Sequence, residues 1–154
     1  MKQLYKSFWI CLALLWAALT PVFGQCILFP GNLVFSGVNL DDDGVDGTQK
    51  NDRFSFVLLQ DVSENFEIYF TDIGWTSAGS FQSSAQALSD GAIKWTAPIG
   101  GVEAGTQITI DAKYNLSASH GTVSGVRATP NNSALYLDLG ISGDQLFAFT
   151  GSLA

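Results

Sequence analysis

The carboxylates between Asp41 and Asp52 are the densest chemistry in the sequence. Asp41, Asp43, Asp46 and Asp52 fall within a dozen residues, with Gly44 and Gly47 between them to allow tight turns. Calcium takes six to eight oxygens from carboxylates and backbone carbonyls. These four aspartates are therefore the candidate ligands of a calcium site. The spacing is not that of an EF-hand: counted from Asp42, the third position is Gly44 and the twelfth is Arg53, where a bidentate Glu is needed. The alternative is a solvated turn that keeps the edge of the domain soluble.

Aromatic side chains offer a second chemistry. Trp75 and Tyr69 are candidate ligand-binding residues, because an exposed aromatic row can stack on sugar rings. Tyr69 lies on the strand face opposite the apolar one, and Trp75 follows Gly74 at a strand end. Trp95 alternates in phase with Ile93 and is expected in the core. His120 is the only histidine and sits between Ser119 and Gly121, without the partners a triad or zinc site needs. Glu67 and Asp72 could form a carboxylate pair for glycoside hydrolysis, but five residues of extended chain put them on opposite faces. No HExxH, nucleophile-elbow or phosphate-loop pattern occurs. The expectation is a protein without catalysis.

The elements that would position these residues are strands. The stretch from Phe54 to Trp75 holds two apolar runs with a period of two, joined by Asp61-Val62-Ser63-Glu64-Asn65. Its short polar link predicts an antiparallel hairpin at the centre of the domain. A first strand starts at Leu33-Val34-Phe35 and closes at Gly37, and a long Gly- and Asp-rich loop follows from Asn39 to Asp52. Further strands are expected at Ile93–Trp95, Thr106–Ala112, Val123–Val126, Leu135–Leu139 and Leu146–Phe149. Seven or eight short strands without an amphipathic helix predict an all-β, antiparallel β-sandwich of immunoglobulin-like architecture. Its inward faces should hold Phe56, Leu58, Ile68, Phe70, Ile93, Ile108, Ile110, Leu137 and Phe147.

Charge and targeting narrow the function. The chain has 154 residues, enough for one domain, and a net charge of −7. Lys2 and Lys6 precede the apolar block Phe8 to Leu19, and small residues precede Gln25. That is the pattern of a secretory signal peptide over residues 1–24, with the apolar block too short to span a membrane. Taking Lys2 and Lys6 from the seven basic residues leaves five against 14 acidic, so the net charge moves to −9. Such acidity argues against nucleic-acid partners. Cys11 would leave with the signal, and Cys26 would stand alone in an oxidising compartment.

The strings FVLLQDV, EIYFTDIGW, IKWTAPIGGVEAGTQITI and SGDQLFAFTG together resemble a β-sandwich domain of large, multidomain secreted bacterial proteins. SGDQLFAF, with the turn at Ala104-Gly105-Thr106, is similar to an element of bacterial lamin-tail-like domains. The resemblance covers Asn32 to Gly151 and departs at the acidic loop from Asp41 to Asp52. It implies a fold, a cell-surface or secreted setting, and a continuation past Ala154 that supplies a closing strand. The resulting expectation is a non-catalytic module for adhesion, spacing or partner binding. The alternative is a carbohydrate-binding accessory module of a larger extracellular hydrolase. The partner would be a protein or polysaccharide surface.

Overall fold

The computed structural model describes residues 27–43, 50–83, 90–126, 135–140 and 143–151. The expected signal peptide, Cys26 and Asp46 lie outside the described residues. Among the described residues eight strands appear in chain order: β1 (Leu33–Asp43), β2 (Lys50–Leu58), β3 (Glu67–Thr71), β4 (Ala92–Thr96), β5 (Gln107–Asp111), β6 (Ser117–Ala118), β7 (Thr122–Val126) and β8 (Phe147–Phe149). They form two four-stranded antiparallel sheets, ordered β1-β2-β5-β6 and β7-β4-β3-β8. The all-β sandwich is as the alternation requires.

The alternation also explains the core. Phe54, Phe56 and Leu58 point inward from one sheet, and Ile68, Phe70, Ile93 and Trp95 from the other, all at most 1% exposed. Phe70 is the meeting point: its ring lies 4.9 Å from Phe54 and 5.1 Å from Phe56 between centroids. Trp95 meets Phe56 edge to face at 5.7 Å, and its indole N–H donates to the His120 carbonyl. A buried indole needs such a partner.

The central hairpin is corrected by this arrangement. β2 pairs with β1 and β5, and β3 with β4 and β8, so the two apolar runs face each other across the core rather than lying side by side. A period of two says which face is buried but not which strand is the neighbour. The link between them carries Val62, 3% exposed, which exchanges backbone hydrogen bonds with Val102 at 2.9 Å in each direction. That bridge holds the link as a crossover between sheets. Gly101 permits it: at φ +75° it is in the left-handed region, and a Cβ there would lie 2.3 Å from the Val62 carbonyl oxygen.

The true hairpin is β1–β2. β1 runs on past Gly37 through register shifts at Phe35/Gly37 and Asn39/Asp42, and Asp43 pairs with Lys50. Much of the expected acidic loop is therefore strand. The shifts are bulges, which let a polar, Gly-bearing sequence stay in the ladder. Leu135–Leu139 differs in the opposite sense. It is not a strand, yet Leu137 and Leu139 are buried. The segment is stapled to the end of the sandwich where β2 begins and β3 and β5 finish. Leu137 N–H donates to the Ala112 carbonyl, Asp138 N–H to Asp72 Oδ2 and Leu139 N–H to Asp52 Oδ2, at 2.8, 3.2 and 2.8 Å.

β1 and β8 are the outer strands of their sheets on the same side of the sandwich. Between them opens a cleft of about 470 Å³, lined by Leu28, Phe29, Leu33, Phe35, Ile68 and Leu146 among others. Among the described residues no helix is long and apolar enough to cross a membrane.

Candidate functional site

The outer face of the β7-β4-β3-β8 sheet gathers the residues with the most to offer a ligand. β3 alternates Ile68 and Phe70 inward with Glu67 and Tyr69 outward. β8 joins β3 with Tyr69 opposite Phe149, Phe70 opposite Ala148 and Thr71 opposite Phe147. Ala148 therefore faces the core, where it packs against the buried cluster, and both phenylalanines face outward. Phe147 had been expected inward. The run Leu146-Phe147-Ala148-Phe149 has no polar residue to mark its outer face, so only the register with β3 decides.

Loop 74–82 completes the face. It doubles back on itself through Gln82 N–H to the Gly74 carbonyl and Thr76 N–H to the Ser80 carbonyl, both 2.8 Å, and Trp75 bridges Phe81. This fold-back lays Phe81 against β8. Its ring lies 5.4 Å from Phe149 and 5.8 Å from Phe147, while Trp75 meets it edge to face at 4.9 Å. Tyr69 stacks on Phe149 at 5.6 Å with 22° between the ring planes. Tyr69 and Trp75, the two residues singled out in the sequence, thus belong to one cluster joined through Phe149 and Phe81. Trp75 is 54% exposed, and the other four rings are half-buried. Phe81 escapes a reading by period because it stands alone in a stretch rich in Ser, Ala and Gln. The small Ala148 between two phenylalanines is the signal that could have found the β8 pair.

Polar groups border the rings. The Tyr69 hydroxyl donates to Glu67 Oε2 at 3.3 Å, and Lys94 Nζ donates to Glu67 Oε1 at 2.6 Å. Lys94 stands opposite Tyr69 in the ladder. The hydrogen bond from Lys94 holds the Glu67 carboxyl below its usual range, and the same bond raises the Lys94 ammonium. Both groups stay charged at neutral pH and cancel each other.

The other sequence candidates are placed elsewhere. Asp41 and Asp43 fall on β1. Asp52, on β2, is buried, accepts from Leu139 N–H and lies 3.8 Å from Lys113 Nζ. To hold a cation in a solvent-facing loop it would have to leave these partners. Among the described residues no group of three or more His, Cys, Asp or Glu could hold a metal ion. Asp72 is 2% exposed and accepts from Gly91 N–H at 2.6 Å as well as from Asp138 N–H. Burial pushes its carboxyl up to about 7, against the pull of those two amides. It is closed off from solvent. His120 is exposed, with Nδ1 3.2 Å from the adjacent Ser119 hydroxyl, and its carbonyl serves Trp95.

No family model matches the chain, and comparison with curated proteins and with solved structures finds no match.

Proposed function

We propose that the chain is a non-catalytic binding module of a secreted or surface-displayed bacterial protein, built on an immunoglobulin-like sandwich. The observation that carries the binding role is the aromatic cluster on the outer face of β3 and β8. Five rings from three separate segments converge there, and Trp75 is more than half exposed. Cross-strand rings add to sheet stability, but the loop that sets the exposed Trp75 beside them extends the apolar surface into solvent, as interaction sites do. Export is supported by the charged start and apolar block over residues 1–24. An accessory module that positions a hydrolase on polysaccharide is the second reading, favoured by the same rings.

Two measurements test the proposal. N-terminal sequencing of exported protein should begin at or within a residue or two of Gln25, and retention of Met1 would overturn export. Beads coated with the exported chain should adhere to extracellular matrix from the producing culture. Tyr69→Ser together with Trp75→Ser should abolish that adhesion. Equal adhesion by the double variant would refute the aromatic face as the binding surface.

A further inference from the structure

We infer that the aromatic face takes a neutral polysaccharide; this rests on the reading of that face as the binding surface. Its charge is the deciding feature. Among the described residues the acid bordering the rings is Glu67, and Lys94 neutralises it at 2.6 Å. The patch is therefore locally uncharged, within a chain of net charge −7. A polyanion, whether nucleic acid or an acidic glycan, would meet long-range repulsion, and among the described residues the cation bordering the rings, Lys94, is already paired with Glu67. An uncharged ligand meets neither penalty.

The mixture of groups selects among uncharged ligands. A pyranose ring presents apolar C–H groups on its faces and hydroxyls around its edge. The face presents the counterpart: ring surface at Trp75 and Tyr69, with a phenol, a carboxylate and an ammonium along one border. Aromatic side chains with a polar handle suit a ligand that is apolar on one side and wet on the other. A greasy protein surface fits less well. Covering the border would strip water from the Glu67–Lys94 pair without replacing its hydrogen bonds, which is costly. A sugar's hydroxyls replace that water directly.

Trp75 and Tyr69 are linked through Phe81 and Phe149, with successive centroid separations of 4.9, 5.4 and 5.6 Å. A chain of several sugars can offer one ring face to each of them. Affinity should therefore rise with chain length through the second contact.

The test is depletion of the exported chain from solution by insoluble cellulose and chitin, and its retardation in gels by soluble neutral glucans and mannans, with alginate as the anionic control. At least one neutral polymer should bind, and more tightly than alginate. Trp75→Ala should weaken that binding at least tenfold and Tyr69→Ala several-fold. Arg53→Ala, on the other sheet, should leave it unchanged. Trp95 is fully buried, so a ligand-induced change in tryptophan emission should come from Trp75 and vanish in Trp75→Phe. Binding to none of the neutral polymers, preference for alginate, or neutral-polymer binding indifferent to Trp75→Ala would each overturn the inference. If no neutral polymer binds while bead adhesion is still lost in the Tyr69/Trp75 double variant, the face is a binding surface for another ligand class. If adhesion is also unaffected, the underlying reading falls with it.

Discussion

On the outer face of the β1-β2-β5-β6 sheet, Ser55 meets Thr109 hydroxyl to hydroxyl at 2.9 Å, and Arg53 bonds Asp111 at 2.7 Å. On the outer face of the β7-β4-β3-β8 sheet, Tyr69 lies between Lys94 on one neighbouring strand and Phe149 on the other. These are directly opposed pairs in antiparallel ladders, the unit of sheet stabilisation. The first sheet places these polar pairs beside an aliphatic one, Val34 opposite Val57, and carries no ring there among the described residues. The second places rings there and recruits Phe81 and Trp75 from a loop to extend them. The two sheets share a core, and the difference lies in what their outer faces carry.

The comparison breaks most visibly where the sheets meet. Phe70→Ala removes the ring that touches Phe54 and Phe56 across the interior, and should destabilise the domain by about 3–5 kcal/mol. Urea unfolding measures it. A loss below about 1 kcal/mol would mean that the sheets do not depend on each other through this ring. Trp75→Ala, by contrast, should leave the melting temperature within a degree or two of the parent while removing binding.

A second effect belongs to the buried carboxylate that follows β3. Asp72 has a folded pKa of about 7 against an ordinary 3.8, because burial opposes its charge. The folded state therefore holds this proton more tightly than the unfolded state. Its contribution is fully present below about pH 4 and is lost as pH rises toward 7. The span corresponds to roughly 4 kcal/mol at most. Unfolding in urea at pH 4, 5.5 and 7 should show the decline, and Asp72→Asn should flatten it. A parent and variant with parallel pH profiles would disprove the assignment.

The smallest effect is on the β1-β2-β5-β6 sheet. Arg53→Ala breaks an ion pair whose side chains are 44% and 23% exposed, and should cost under about 1 kcal/mol. Raising the salt concentration should shrink even that difference. A cost of several kcal/mol would make the polar face more than a solvated exterior.

Much of this was legible in the residues. Alternation placed Phe56, Ile68, Phe70, Ile93, Ile108 and Ile110 inward because one apolar face per strand is a local property. Trp95 followed from its phase with Ile93. Pairing was not legible, since β2 and β3 have equivalent patterns whether they lie side by side or face to face. Val62 is the residue that turns the link into a crossover, and its bridge to Val102 is a contact between distant segments. Of the aromatic cluster, Tyr69 and Trp75 stood out by type and position. Phe147 and Phe149 required the register of β8, and Phe81 required the fold-back of its loop. Asp52 and Asp72 looked like solvent-facing acids. Their burial depends on residues 138 and 139, which arrive more than sixty positions later in the chain.

That late arrival sets an order of events. The bonds from Asp138 and Leu139 close spans of 66 and 87 residues. Ordering so long a segment before its docking surface exists would cost entropy with nothing to repay it. Residues 137–139 should therefore dock only after both sheets have met, and be missing from the folding transition state. Asp52→Asn should accelerate unfolding several-fold and leave the folding rate nearly unchanged, as positions that form late do. The two limbs of a denaturant chevron separate these outcomes, and a slowed folding limb would mean that the strap helps to start the process it is expected to finish.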